Sequence, residues 1–346
     1  MIKQRNTLYF EAPHTVSVCE ETCPQPGRNE VLVQTAVSAI SAGTELLLYR
    51  GQMPTNMAAD ETITALSGTL RYPLAYGYAA VGQVIAAGAG VAATWLGRTV
   101  FSFQPHTSHF VAKPADLLPL PPEIEPETAV FLPNMETAVS FLMDGQPMIG
   151  EQVAVLGQGV VGLLTTGLLA RLPLATLVTL DAYPLRRQWA ERLGASTVLD
   201  PAQADAHTIR QALQGKRPYR GADLVYELSG NPQALTTALD LVGYNGRILI
   251  GSWYGQKEAA LNLGGAFHRD HIQIRSSQVS HIAPQWAGRW DKPRRLQVAW
   301  QQLQQQQPAQ LISHRLPLHQ AAEAYQRLHD APETAVQIIF DYRTLP

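Results

Sequence analysis

A glycine-rich turn near the middle of the chain constrains the fold more than any other feature. The segment VAVLGQGVVGLLTTG places Gly157, Gly159 and Gly162 in a G-x-G-x-x-G pattern, directly after β-branched residues and at the start of an apolar helix. Asp181 ends the next strand-like segment, TLVTLD. A strand, a glycine turn, a helix and a second strand ending in a carboxylate together form the fingerprint of dinucleotide binding.

Each position of this fingerprint has a physical task. Gly157 permits the tight turn, Gly159 lets the main chain approach a pyrophosphate, and Gly162 lets the helix pack closely on the strand. Amides at the helix N-terminus favour phosphates. Asp181 is placed to accept hydrogen bonds from the adenosine ribose, which favours NAD(H), because a 2′-phosphate would face a carboxylate. Arg186 and Arg187 leave NADP(H) open, and a glycine turn without a nucleotide is the structural alternative.

The segments around the turn alternate between short apolar strands and helices. Strand patterns such as ADLVYEL and RILIGSW are separated by helical ones, which is typical of a parallel sheet covered on both faces. The N-terminal part instead contains short strand patterns broken by turn residues, and the last part leaves the alternation. The sequence therefore predicts an α/β protein whose middle segment is a doubly wound nucleotide-binding domain, with segments at 1–125, 126–278 and 279–346.

Composition excludes several other classes of protein. Lys and Arg number 26 and Asp and Glu 28, so the net charge of -2 offers no surplus for binding a nucleic acid. Cys19 and Cys23 are the only cysteines, which excludes a disulfide scaffold, a four-cysteine zinc site and an intramolecular iron–sulfur cluster. With 46% hydrophobic and 16% charged residues, the chain can bury large cores.

The expected location is cytoplasmic, with no membrane association. The N-terminal segment MIKQRNTLYF has no apolar region of the kind found in secretory signals. Residues 152–170 are uncharged and long enough to suggest a membrane span, but they contain the glycine turn and several threonines and glutamines. We interpret them as a strand, a turn and a helix of a globular domain.

In this order, the motifs resemble the medium-chain dehydrogenase/reductase family, the zinc alcohol dehydrogenase superfamily. The resemblance runs nearly end to end, through GRNEVLVQTAVSAISAGTE, YPLAYGYAAVGQVIAAG, FLPNMETAVSFL, the glycine turn and YRGADLVYELSGNPQALTTALDLVGYNGRILIGSWYG. It implies a GroES-like β-rich catalytic domain built from both chain ends, an inserted Rossmann domain, and a homodimer. The cofactor contacts predicted from the fingerprint and the resemblance together are Gly157, Gln158, Gly159, Val160, Val161, Gly162, Asp181, Arg186, Thr137, Ser229, Gly230, Gly251, Ser252 and Trp253.

The departures from the family concern the catalytic metal. Where the zinc enzymes have their three catalytic ligands, this chain has Ala42 before Gly-Thr-Glu, Tyr78 within Gly-Tyr-Ala, and Pro133 four residues before Thr137. The cysteine-rich structural zinc lobe is also missing. The chain thus resembles a zinc-free member, and SAISAGTE, YGYAAVG and NMETA are most similar to the hydroxyethyl bacteriochlorophyllide dehydrogenase-like subgroup. We expect no metal.

Without zinc, another donor must stabilise the oxyanion that hydride addition creates. Thr44 matches the family's proton-relay hydroxyl; alternatively, it caps the helix that starts near Glu45. Tyr78 could donate to a carbonyl oxygen or merely fill the vacated zinc cavity. His106 could be a general acid or a structural histidine. Glu45 and Glu136 could orient such donors, or serve as helix-start residues or partners of an arginine.

The sequence predicts a zinc-independent, nicotinamide-dependent oxidoreductase that interconverts a small-molecule secondary alcohol and a ketone or aldehyde. A reductase of enones or quinones is one alternative, and a non-catalytic nucleotide-binding redox sensor is another. Residues 52–72 show no clear period and are predicted as a long loop or short helical excursion, which either faces the substrate or is a surface insertion.

Overall fold

The computed structural model describes residues 2–54, 57–60, 62–66, 68–214 and 221–343. The chain divides into two compact units, one of residues 1–133 with 303–346 and the other of residues 134–302. The second division lies later than the predicted boundary at 278/279. Segment 279–302 belongs to the second unit, where the buried guanidinium of Arg295 forms an ion pair with Glu136.

The strands are, in chain order, β1 (Gln4–Ala12), β2 (Thr15–Thr22), β3 (Val31–Ala39), β4 (Leu74–Ala75), β5 (Ala80–Ala87), β6 (Thr99–Ser102), β7 (His109–Ala112), β8 (Leu118–Pro119), β9 (Gln152–Leu156), β10 (Thr176–Leu180), β11 (Thr197–Leu199), β12 (Ala222–Glu227), β13 (Val242–Ile250), β14 (Gln273–Ser276), β15 (Ile312–Leu316) and β16 (Gln337–Asp341). The α-helices are α1 (Ala42–Tyr49), α2 (Pro126–Ala129), α3 (Leu132–Gly145), α4 (Val160–Leu169), α5 (Pro184–Arg192), α6 (Ala206–Gln214), α7 (Ala234–Leu241), α8 (Ala266–Arg269), α9 (Lys292–Gln306) and α10 (Ala321–Asp330).

The second unit is built on a parallel sheet with the strand order β11-β10-β9-β12-β13-β14. Alternate residues of β9 enter two different cores, Ala154 and Leu156 one, Val153 and Val155 the other. Both faces of the sheet are therefore buried, which explains why its strands are almost continuously apolar. This confirms the predicted doubly wound Rossmann architecture.

The first unit is the predicted GroES-like β-rich domain. Its larger sheet has the order β15-β16-β3-β5-β6-β8, with β7 paired to β3, and a smaller sheet has the order β2-β1-β4. The C-terminal strand β16 lies antiparallel to β3, pairing Ile339 with Ala39. Both ends of the chain thus complete one sheet, as the resemblance implies.

Segment 52–72 contributes to the core of the first unit. Residues 55, 56, 61 and 67 lie outside the described residues, and the remainder contains a 3₁₀ turn at Thr64–Leu66. Met53, Leu66 and Leu70 are buried. The segment is therefore more than a surface insertion. Within the described ranges, no helix has both the length and the apolar character required to cross a membrane.

Candidate active site

The residues predicted to bind a cofactor converge at one edge of the parallel sheet. Leu156 of β9 lies in register with Leu180 of β10 and Glu227 of β12, and Glu227 pairs in turn with Ile250 of β13. The residues after these positions therefore leave the sheet side by side at its carboxyl edge, where ligands bind in such folds. They include Gly157, Asp181, Ser229 and Gly251.

The glycine turn has the close approaches that its motif requires. Gly157 has φ +95°, and a Cβ atom there would lie 2.5 Å from Ser229 Cα. A Cβ on Gly162 would lie 2.1 Å from the carbonyl oxygen of Gly157. At Gly159, by contrast, a Cβ would meet nothing within 4 Å, and no side chain caps α4 there. The turn leaves open the one position where a pyrophosphate would approach, so these residues fit a dinucleotide.

Asp181 is anchored by main-chain amides beside this turn. Its Oδ2 accepts a hydrogen bond from Gln158 N at 2.7 Å, and its Oδ1 accepts one from Tyr183 N at 2.8 Å. The guanidinium of Arg186 lies over the Tyr183 ring, with Nη1 4.0 Å from Asp181 Oδ2. The side chain of Gln158 points inward, where Thr166 Oγ1 donates to it at 2.8 Å. Only its main chain can therefore face a ligand.

The other predicted contacts form a second loop cluster at the same edge. Gly230 N donates to Ser252 Oγ at 2.8 Å, which joins the loops after β12 and β13. Trp253 is 39% exposed, and Val160, Val161 and Thr137 are partly exposed.

Sequence reasoning missed Glu227, which holds this cluster together. Its side chain has no exposed surface, and it accepts hydrogen bonds from Ser229 N at 2.8 Å and from the Tyr254 hydroxyl. An acidic residue that ends an apolar strand, as Asp181 also does, is the signal that could have indicated it.

Three hydroxyl groups meet in the first unit around Tyr78, one of the residues that the family resemblance gives the position of a zinc ligand. The Tyr78 hydroxyl lies within hydrogen-bond distance of Ser41 Oγ and donates to Thr44 Oγ1 at 3.3 Å. All three side chains are partly exposed. We call Ser41, Thr44 and Tyr78 the hydroxyl trio. Sequence reasoning missed Ser41, although it directly precedes the Ala42 that stands at a zinc-ligand position.

The start of helix α1 excludes the capping role of Thr44, while its proton-relay role stays a prediction. The helix begins at Ala42 with Ser41 as its N-cap residue, so Thr44 lies within the first turn and cannot be the cap. The prediction of a Thr44 cap was wrong because the helix starts earlier than the sequence suggested. Ser41 makes no side-chain capping bond either, which leaves its hydroxyl available to Tyr78.

Tyr78 follows a glycine that no other residue could replace without strain. Gly77 has φ +123°, and a Cβ there would lie 2.8 Å from Cδ2 of His106. Burial raises the pKa of the Tyr78 phenol and the nearby Glu45 carboxylate adds to the rise, while the hydrogen bonds that join Tyr78 to Ser41 and Thr44 oppose it. The phenol therefore stays protonated at neutral pH and can donate a hydrogen bond.

The two remaining catalytic candidates are fully buried partners of each other. Glu45 Oε2 lies 3.1 Å from His106 Nε2, and neither side chain has exposed surface. His106 Nδ1 is 2.7 Å from Ser38 Oγ, so both ring nitrogens have internal partners. Glu136 lies in the second unit, where Arg295 Nη2 donates to it at 2.8 Å; burial raises its pKa and Arg295 opposes the rise.

Comparison with known proteins relates the chain to dehydrogenases. Residues 160–292 match a family described as zinc-binding dehydrogenase. D-guloside 3-dehydrogenase of Escherichia coli K12 is 25% identical over 309 residues, which cover 86% of this chain and 87% of the relative. L-threonine 3-dehydrogenase of Stenotrophomonas maltophilia is 26% identical over 270 residues, covering 69% and 74%. A solved structure from Escherichia coli CFT073, described as a short chain alcohol dehydrogenase complexed with NADH, matches with a TM-score of 0.78 at 18% identity and covers 99% of this chain and all (100%) of that one.

Together, the family match over residues 160–292, the curated relatives and the solved structure place the chain among the medium-chain, zinc-type alcohol dehydrogenases. These relatives are dehydrogenases, which supports an NAD(P)-dependent oxidoreductase. The resemblance found in the sequence is confirmed at this level, whereas the assignment to a zinc-free subgroup stays a prediction.

A catalytic zinc ion does not fit the side chains at the superfamily's ligand positions. Ala42 and Pro133 have no donor atom, and the phenol of Tyr78 is not among the nitrogen, sulfur and carboxylate ligands that zinc takes. Within the part of the chain that the structure describes, no three His, Cys, Asp or Glu side chains are grouped so that they could hold a metal ion.

Proposed function

We propose that this chain interconverts a secondary alcohol and a ketone or aldehyde by hydride transfer without a catalytic metal, and that it prefers NAD(H). The observation that carries the proposal is the hydrogen-bonded hydroxyl trio, which includes Tyr78, a residue that the family resemblance gives the position of a zinc ligand. The relatives named above act on alcohol groups of a guloside and of threonine, which supports this reaction class.

Tyr78 would take over the polarising task of the metal. A reduced nicotinamide, when bound, would supply the hydride for reduction of the carbonyl carbon. The Tyr78 hydroxyl turns its proton from Thr44 toward the carbonyl oxygen, where negative charge develops. Ser41 Oγ donates to the phenol oxygen as that proton leaves, and solvent replaces the proton. Oxidation reverses each transfer.

The Asp181 carboxylate supports the proposed preference for NAD(H). A carboxylate in this position suits the free ribose hydroxyls of NAD(H) and repels the 2′-phosphate of NADP(H).

The test compares the wild-type protein with Tyr78→Phe. We expect both to bind NADH equally in calorimetry, while kcat for ketone reduction falls roughly 10²- to 10³-fold in the variant, the usual cost of losing one oxyanion donor. Turnover should persist in a chelator, and metal analysis by mass spectrometry should find no stoichiometric zinc.

Three results would contradict the proposal. They are a lack of nicotinamide binding at millimolar concentration, an unchanged kcat in Tyr78→Phe, and activity that depends on added zinc. Product analysis with a ketone and an enone distinguishes alcohol formation from reduction of a carbon–carbon double bond.

A further inference from the structure

A second, fully buried layer of polar side chains lies behind the hydroxyl trio. The Glu45 carboxylate has no exposed surface and accepts hydrogen bonds from three directions. Ser41 N donates to its Oε1 at 2.7 Å, while His106 Nε2, at 3.1 Å, and the Tyr325 hydroxyl meet its Oε2. A buried carboxylate is stable as an anion only with such a set of donors.

The neighbouring hydroxyl groups are compatible with one consistent set of donors. Ser38 Oγ lies 2.7 Å from His106 Nδ1 and 3.0 Å from the Tyr342 hydroxyl. If Tyr342 donates to Ser38 and Ser38 donates to Nδ1, then Nδ1 is an acceptor and Nε2 can donate to Glu45. This arrangement satisfies every group in the row.

The row Ser38, His106, Glu45 has the composition of a hydrolase triad. However, all three side chains are fully buried, so no acyl substrate can reach Ser38. These residues therefore provide hydrogen bonds to the Glu45 carboxylate and do not form a nucleophilic site.

The structural effect of Glu45 is exerted through Ser41. Its Oε1 holds the Ser41 amide, and the Ser41 main chain has φ −86° and ψ 85°. In this conformation the hydroxyl makes no capping bond and meets Tyr78 instead. Glu45 thereby sets the geometry of the hydroxyl trio through the Ser41 main chain. Among the residues that the structure describes, its side chain makes no hydrogen bond to Tyr78 or Thr44.

Tyr325 brings the C-terminal segment into this arrangement. It lies on α10, is fully buried, and packs edge-on to Phe10 at 5.1 Å and in a stack with Tyr49 at 5.7 Å between ring centroids. Its ring is held by packing and its hydroxyl by Glu45, so removal of the hydroxyl alone would leave the ring in place.

We propose that Tyr325 and His106 are positioning residues of the reaction, which hold Glu45 so that it fixes Ser41 and aims the hydroxyl trio at the substrate oxygen. This inference depends on the proposed function for its kinetic consequences, but the contact between Glu45 and Ser41 can be tested without turnover.

The kinetic test is a double-mutant cycle between Tyr325→Phe and Tyr78→Phe. We expect Tyr325→Phe to lower kcat roughly tenfold to a hundredfold with an unchanged NADH dissociation constant, because small misplacements of a reacting group have effects of this size. In the Tyr78→Phe background the same change should have no further effect. Tyr9→Phe is the matched control, since it removes a comparable phenol–carboxylate hydrogen bond, to Glu21 Oε1 at 2.6 Å, elsewhere in the same unit.

Hydrogen exchange supplies a readout that does not need activity. Exchange of the Ser41 amide, followed by mass spectrometry of a peptide spanning 38–47, should be faster in Tyr325→Phe than in the wild-type protein and unchanged in Tyr9→Phe. His106→Gln, whose amide can still donate to Glu45, should keep kcat and the exchange rate of the Ser41 amide closer to the wild-type values than His106→Leu does. This pair of variants replaces Tyr325→Phe if that variant does not fold.

The outcomes separate the two proposals. The positioning role would be overturned if Tyr325→Phe lowered kcat by the same factor in the wild-type protein and in Tyr78→Phe, or if it left exchange of the Ser41 amide unchanged. Either result would leave the proposed function intact. A wild-type protein without turnover would refute the proposed function, and exchange would still decide whether Tyr325 and His106 hold the start of α1.

Discussion

At the level of single residues, two carboxylates have the same structural role, since each holds a main-chain amide at the start of a helix. Glu45 and Asp181 each accept a main-chain amide at 2.7 Å, from Ser41 and from Gln158, just before a helix begins. A carboxylate at this place is stabilised by the helix dipole and fixes the chain entering the helix. One of these helix starts presents the glycine turn, and the other presents the hydroxyl trio.

Asp181 is also the residue at which cofactor preference can be tested. We expect Asp181→Asn to reduce the ratio of NADPH to NADH dissociation constants at least about fivefold, because a unit charge at contact distance contributes about 1–4 kcal/mol near a surface. Calorimetric titration with both cofactors measures this ratio. Asp205→Asn, at an exposed carboxylate of the same unit, is the control. An unchanged ratio in Asp181→Asn would refute the proposed role.

The sequence indicates contacts between residues that are close along the chain, but it does not indicate contacts between distant ones. The glycine turn with Asp181 follows a local pattern whose parts are imposed by chain geometry. Ser41 and Tyr78 are 37 residues apart, and Tyr325 and Glu45 are 280 apart. No local period links such pairs. The antiparallel pairing of β3 with β5 brings Ser41 to Tyr78, and Tyr325 reaches Glu45 only when α10 packs into the first unit.

At the level of elements, the buried pair Glu136–Arg295 attaches α9 to α3. Arg295 is 1% exposed and also donates to the Val279 carbonyl, so it secures the segment before α9 as well. This long-range ion pair explains why the later boundary between the units lies inside α9, where the sequence showed only a glutamine-rich surface helix.

Breaking this pair should be costly. We expect Arg295→Met to reduce the free energy of unfolding by about 3–5 kcal/mol, because it leaves a buried carboxylate without its partner. Adding Glu136→Gln should restore much of the loss. Urea unfolding followed by circular dichroism measures both. Glu323→Gln, in the exposed pair with Arg327, should change stability by less than about 0.5 kcal/mol; losses of similar size at both sites would contradict the assignment.

At the level of the whole molecule, self-association concerns the edge of the parallel sheet formed by β14. β14 pairs with β13 on one side and forms the edge of the sheet. We propose a homodimer formed along this edge, since an exposed strand offers unpaired main-chain groups. Light scattering coupled to size-exclusion chromatography should give twice the mass of 37.8 kDa. A monomeric mass at micromolar concentration would rule it out.

The discontinuous first unit also has a consequence for biosynthesis. The nucleotide-binding unit is continuous in sequence, so it can fold while the ribosome is still translating. The first unit cannot be completed until α10 and β16 have been synthesised. Helix α10 carries Tyr325, which is the last to be synthesised of the three residues that donate to Glu45. A nascent or truncated chain can therefore possess the glycine turn before it possesses an ordered hydroxyl trio. Synthesis of the segment that contains α10 and β16 is therefore required before the hydroxyl trio is fully held.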